Sequence, residues 1–546
     1  MAKVLLAAAL FLACGLSRAQ DLSEPTLYDF LVGEIALQRG DLSLAAKTYL
    51  ELAQRTRDPR VARRAVEVAN QAKEPGLALD AARLWYDIEP SAHALQVLAA
   101  TLVAAKRVDE AAPVIEKLIS AEGVNRENAF LQLNRLLAGN DDKAANLRVI
   151  RGLAAKHPQL PQAQFAVAQA AALAGDDAAA VAAAREAQKL RPDWELAVLL
   201  EAQVLQKRSP ASAAKRLGEF IAAYPDARDV RLSYARVLVM EKRLPEARKQ
   251  FEAVAGASPA NPDVIYAVGL LAYQLKDYVA AEDYLKRVLA LPYRDPEGVR
   301  YLLGQMAEEQ KLWPRAIEWY ESIKTGDHLM PARMRTASAM AKQGRLEEAR
   351  AYLKRVADDN PEDAVQLIVA EAQLLRDAQR HDDAFKLLSQ ALGQQPEQPE
   401  LLYDLALTAE KLERFDLLEA HLRKLIEVKP DHAHAYNALG YSFAERNLRL
   451  PEARKLIEKA LELAPEDYFI IDSLGWVLYR EGDLKGAARE LRRAYSGRPD
   501  AEIGAHLGEV LWVLGERDEA RRIWEEALKA GPENETLHKT IKRLRK

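Results

Sequence analysis

Leu507-Gly508-Glu509-Val510-Leu511-Trp512, followed by Ala520, Trp524, Ala527 and Pro532, is the stretch on which the reading of this chain turns. In the preceding segment Leu474-Gly475, Ala487, Leu491, Ala494 and Pro499 stand at nearly the same offsets. Small residues at places eight, twenty and twenty-seven let two helices touch. Large apolar residues fill the gaps between them, and a proline ends the second helix. Counting outward from the place-twenty alanine puts units near 26, 59, 91, 126, 161, 194, 228, 262, 297, 330, 365, 399, 433, 468 and 501. The turn inside a unit is marked by Gly40-Asp41, Gly175-Asp176, Gly344-Arg345, Gly482-Asp483 and Gly515-Glu516. Pro245, Pro314 and Pro451 sit just after such turns, where a first-turn proline removes no helical hydrogen bond. A helical hairpin of this kind cannot bury its apolar face alone, so copies stack and each touches only its neighbours. The expected fold class is all-α: a solenoid of about fifteen helix-turn-helix units, wound as a right-handed superhelix.

With 49% apolar and 29% charged residues, the 546-residue chain has material for a continuous core. Its 77 basic residues are offset by 81 acidic ones, so no global field points to nucleic acid or to a membrane surface. The units near 59 and 126 are degenerate, and the unit near 161 is rich in alanine (Ala170 to Ala172, Ala178 to Ala180, Ala182 to Ala184). Around 323–331 the closing pattern fails, with Gly326 and Asp327 in place of a regular helix end. The expected organisation is an export segment over 1–19, a repeat array over 20–322, a joint at 323–331, a second array over 332–534 and a polar capping helix over 535–546.

The first nineteen residues read as a targeting segment. Lys3 supplies the positive start, Val4 to Ala13 the apolar stretch, and Ser17-Arg18-Ala19 a small-x-small cleavage site. Cys14, the one cysteine of the chain, lies in Leu12-Ala13-Cys14-Gly15, where a lipoprotein signal places its acylated residue. Cleavage before an acylated Cys14 and cleavage after Ala19 both remain open. Either leaves a body without disulfides, located in the periplasm or tethered to the inner leaflet of the outer membrane.

No His-Glu-x-x-His, nucleophile elbow or phosphate-cradling loop is present in the sequence. His432 and His434 are two apart and so face different ways on a helix, which disfavours a metal site. Neither a catalytic residue nor a metal or cofactor is expected, and binding is the expected output.

The period of about 34 residues, with small residues at eight, twenty and twenty-seven, resembles the tetratricopeptide repeat. That resemblance implies that places 2, 5, 9, 12 and 13 line a concave surface. In the unit at 433 these are His434, Asn437, Tyr441, Ala444 and Glu445. At 468 they are Phe469, Asp472, Trp476, Tyr479 and Arg480, and at 501 they include Glu502, Glu509 and Trp512. Tyr441, Trp476, Tyr479 and Trp512 are expected to turn toward one partner-binding surface, with Asp472, Arg480 and Glu509 as orienting charges at its rim. Tyr266, Tyr273, Tyr301 and Tyr403 fall at places 5 or 12 and form a second aromatic track, whereas Trp313, Trp319 and Trp524 fall in second helices, where packing is expected. The basic and asparagine set that clamps a chaperone's acidic tail is not assembled.

Tyr436-Asn-Ala-Leu-Gly-Tyr441, Ile471-Asp-Ser-Leu-Gly-Trp-Val-Leu-Tyr-Arg480, Ala505-His-Leu-Gly-Glu-Val-Leu-Trp512, Leu27-Tyr-Asp-Phe-Leu-Val-Gly-Glu-Ile-Ala-Leu-Gln-Arg-Gly40 and Thr56-Arg-Asp-Pro-Arg-Val-Ala62 are similar to a family of proteobacterial envelope proteins. Its best understood member is an outer-membrane lipoprotein that partners a carboxy-terminal-processing protease. The resemblance implies an adaptor for that periplasmic protease and for the cell-wall hydrolases it degrades. The alternative is a structural scaffold in a polysaccharide-export or outer-membrane assembly machine.

Overall fold

The structure, a computed structural model, describes residues 24–544. The export segment and Cys14 lie outside the described residues. Thirty-one α-helices run from Glu24–Gln38 to Glu535–Leu544, with two short 3₁₀ turns and no strand among the described residues. They pair into fifteen hairpins and one final helix, in the register counted from the alanines. Within each unit the helices of most hairpins pack on each other and on the next hairpin.

The signature residues do what their sizes dictate. Ala520, Trp524 and Ala527 are fully buried. A Cβ on Gly508 would lie 2.0 Å from Trp524 Nε1, and one on Gly475 would lie 2.5 Å from Leu491 Cγ. Only a residue without a side chain lets the second helix come so close. Gly482 and Gly515 end first helices at φ of 92° and 89°, a left-handed conformation that suits glycine. Asp176, Asp277 and Asp483 then cap the second helices by accepting from backbone N–H groups. Pro245, Pro314 and Pro451 all fall in first turns.

The chain divides into two compact units, one ending at Pro292 and one running from Tyr293. The first holds eight hairpins among its described residues. Its degenerate hairpin near 126 is closed by side-chain bonds. Asn140 donates to Asn146 at 2.9 Å, and Asn146 donates to the Leu137 carbonyl at 3.0 Å. In the same unit the fully buried Glu201 is met by Arg185 at 2.6 Å and Arg216 at 2.8 Å.

The division does not fall at 323–331, where the sequence suggested a joint. That stretch lies inside the second unit, where Ile323 is buried with Tyr320 and Ala332 and keeps the packing continuous across the irregular turn. The units instead part next to Pro292, in a segment that Pro292 and Pro296 keep from continuing the preceding helix.

The second unit ends with nine helices: α1 (Pro399–Lys411), α2 (Phe415–Val428), α3 (Ala433–Glu445), α4 (Leu450–Leu463), α5 (Tyr468–Glu481), α6 (Leu484–Gly497), α7 (Ala501–Leu514), α8 (Arg517–Ala530) and α9 (Glu535–Leu544). α9 is the expected cap: it packs chiefly on α7, buries Leu537 and Thr540, and leaves its lysines in solvent.

Candidate functional site

The first helices α1, α3, α5 and α7 follow one another along one wall of the second unit, α3 touching α5 and α5 touching α7. The Tyr441 ring on α3 lies 6.2 Å from the His506 ring on α7, two hairpins further along. Glu410 on α1 and Glu502 on α7, three hairpins apart, lie within electrostatic range of each other. The approach of Tyr441 to His506 brings side chains of first helices two hairpins apart to the same wall.

At the centre of this wall is a buried polar stack. His506 Nδ1 lies 2.9 Å from Asp472 Oδ2, and both residues are buried. The Trp476 ring stacks on His506 with centroids 4.2 Å apart, and its indole N–H donates to Glu445 at 2.8 Å. Burial alone would lower the proton affinity of His506, but the Asp472 carboxylate, with Glu502 and Glu445 beyond it, raises it above the ordinary imidazole value. Beside the stack, Tyr479 donates to Glu509 at 3.1 Å, and Arg543 of α9 pairs with the same carboxylate.

Two placements differ from the sequence reading. Asp472 and Glu509, expected as rim charges, are 5% and 3% exposed; Asp472 is paired with the buried His506, and Glu509 with Arg543, whose own side chain stays largely exposed. A carboxylate enters this interior only with a partner, because an unpaired buried charge is costly. Trp476, at 4% exposure, is a wall residue with most of its surface already covered. Trp512, expected beside it, lies instead against its own second helix. Its ring is 5.5 Å from Trp524 and is flanked by Arg517 at 5.1 Å and Arg521 at 5.6 Å.

The remaining candidates spread along the wall. Tyr441, Tyr479, Asn437 and Arg480 are half-buried. Arg480 donates to the Glu445 carbonyl oxygen at 3.3 Å and lies 6.0 Å from the Trp476 ring centre. Phe469 is exposed, with Arg498 4.7 Å from its ring, and His434 is exposed, 3.7 Å from Asp467. Tyr403 extends the aromatic track, its ring 5.3 Å from that of His432, whose Nδ1 caps α3 by accepting from Ala435. The sequence reading missed His506. Its signal was available: Asp472 and His506 are 34 residues apart, one period, which sets them on facing first helices.

No helix among the described residues is long and apolar enough to cross a membrane. Residues 204–262 and 403–468 match the tetratricopeptide repeat family, and residues 257–413 match the N-terminal domain of the ESX-1 secretion system protein EccA1. The chain is 36% identical over 526 residues to the TPR repeat-containing protein PA4667 of Pseudomonas aeruginosa, covering 96% of this chain and 88% of that protein. It is 29% identical over 153 residues to tetratricopeptide repeat protein 21A of Mus musculus, covering 27% of this chain and 12% of that one. Among solved structures, yeast Tom70 aligns with 96% of each chain at 13% identity and a TM-score of 0.34. On the hairpin register, the glycine and alanine contacts and the 36% identical relative from Pseudomonas aeruginosa, the chain belongs to the tetratricopeptide repeat proteins, scaffolds for protein–protein interaction.

Proposed function

We propose that this chain is a non-enzymatic adaptor of the bacterial envelope. It holds protein partners along the inner wall of its second unit and presents cell-wall hydrolases to a periplasmic carboxy-terminal-processing protease. The observation that supports the binding role is the approach of Tyr441 to His506 across two hairpins, which brings aromatic side chains of first helices two repeats apart close together. Aromatic anchors on such a surface dominate binding energetics, since they desolvate large areas with few rotors to freeze. The protease and hydrolases as partners are supported by the sequence resemblance at both ends of the chain. The export segment supports a periplasmic location, and Cys14 supports a tether to the outer membrane. N-terminal sequencing separates an acylated Cys14 from a mature chain that starts at Gln20.

Affinity capture from envelope extracts, with the full chain as bait, is expected to recover a serine protease with a PDZ-like domain together with cell-wall hydrolases. Recovery of polysaccharide-export or outer-membrane assembly subunits in their place would replace the adaptor by a structural scaffold.

A further inference from the structure

The first hairpin has no described hairpin before it, and its first helix, Glu24–Gln38, is apolar on opposite sides. Phe30, Ala36 and Leu37 pack inward on the core of the first unit. Leu27, Tyr28 and Ile35 are 45%, 67% and 43% exposed, with Leu31 half-buried among them. No other helix among the described residues exposes three large apolar side chains. Tyr28, Leu31 and Ile35 stand at places three, six and ten of the repeat. Later hairpins show what those places do. Ile470, Ser473 and Val477 hold them at 468, Ile503, His506 and Val510 hold them at 501, and all are buried. The aliphatic ones share core clusters with the preceding second helix, Ile457 and Ala460 in one case and Ala487 and Leu491 in the other. The face that the first hairpin exposes is therefore the face by which one hairpin seats on another, and a helix apolar all round is one that gets buried.

We propose that this end face seats on the same face of a second copy, the two first helices antiparallel about a two-fold axis at Leu31. A second copy cannot offer its far end for this purpose, because α9 already covers α7 there. The face is self-complementary in the way a two-fold contact requires. Leu27 and Ile35 are equally spaced about Leu31, so each Leu27 meets the Ile35 of the other copy and the two Leu31 side chains meet at the axis. Glu24 stands on the same side of the helix, and antiparallel pairing brings it beside Gln38 and Arg39 of the other copy. Glu24 and Arg39 are exposed, and neither forms an ion pair among the described residues. An anionic lipid surface fits less well, since the helix carries Glu24, Asp29 and Glu34 and no lysine or arginine. The pairing makes no use of the inner wall of the second unit and stands apart from the binding role proposed above.

Sedimentation velocity of the full chain over roughly 1 to 100 μM tests the pairing, because a single helix pair predicts a weak, concentration-dependent dimer. The wild type is expected to shift toward dimer over that range. Leu31→Glu sets two like charges face to face at the axis and should leave only monomer. Leu196→Glu, at a side chain 52% exposed elsewhere in the first unit, should change nothing. Circular dichroism should show both variants as helical as the wild type; should Leu31→Glu lose helix, the charge variants alone decide. Glu24→Arg opposes like charges twice in each dimer and should weaken dimerisation about tenfold. Glu24→Arg/Arg39→Glu restores opposite charges and should recover it. A wild type that stays monomeric throughout overturns the proposal, as does a dimer that survives in a folded Leu31→Glu variant. No weakening by Glu24→Arg, or weakening without recovery in the double variant, overturns the antiparallel register. If the wild type is monomeric and floats with phosphatidylethanolamine–phosphatidylglycerol vesicles, and Leu31→Glu abolishes that, the face belongs to lipid and the second copy is wrong.

Discussion

At Trp476 and its neighbour Leu474, the roles assigned from places in the repeat are exchanged by the structure. Place seven suggests that Leu474 is core and place nine that Trp476 is free for a partner, yet Trp476 is 4% exposed and Leu474 is half-buried. Trp476→Ala is therefore expected to destabilise by about 3–5 kcal/mol, and Leu474→Ala by less, both measured by chemical denaturation. A larger loss at Leu474 would restore the original assignment. His506 supplies a pH dependence with a definite sign. Its folded-state affinity for a proton is raised by Asp472, Glu502 and Glu445, with Trp476 and Tyr441 closing the remaining sides. The stabilisation is thus complete below the ordinary imidazole value of about 6.5 and is lost as pH rises through the raised folded value. Denaturation midpoints taken from roughly pH 6 to pH 9 should fall, and His506→Gln should flatten that slope. The repeat places told which side chains stand on first helices, but not how each ring turns. Trp512 turns onto Trp524 because a large indole gains more by packing against the hairpin's own second helix than by standing in the groove.

Among the elements, the hairpins were legible because close helix contact demands small residues at fixed offsets, and glycine and alanine leave that demand in plain view. Gly508→Val tests it. The added side chain would enter space held by Trp524, so a loss of about 1–3 kcal/mol or more is expected, read as a shift in urea midpoint at unchanged slope. Wild-type stability in that variant would mean that the place-eight contact is looser than described. The cap was legible too, from its basic residues and the helical spacing of Leu537, Ile541 and Leu544. Removing 535–546 would uncover apolar residues on α7 and leave the buried Glu509 without Arg543. Amide exchange across 501–530 should then accelerate selectively, while helices before Pro399 keep their protection. The irregular turn at 323–331 was misleading in the other direction. A broken sequence pattern marks a break in packing only where no buried residue bridges it, and Ile323 does so.

For the molecule as a whole, fold and site differ in how far they can be read from residues alone. Repetition states the fold fifteen times, so degenerate copies near 59 and 126 do not obscure it. The groove is stated once, by side chains brought together from hairpins two and three apart, such as Tyr441 with His506 and Glu410 with Glu502. Such pairs follow from the curvature of the stack, which no single repeat encodes. The central claim is that partners bind on this inner wall, and site-specific photocrosslinking tests it most directly. A benzophenone amino acid is placed at Tyr441 on the inner wall or at the exposed Lys455 on α4, and the full chain is irradiated in envelope extract. The account predicts discrete protein adducts from position 441 and none from position 455. Adducts from 455 with none from 441 would contradict it and move the binding surface to the outer face.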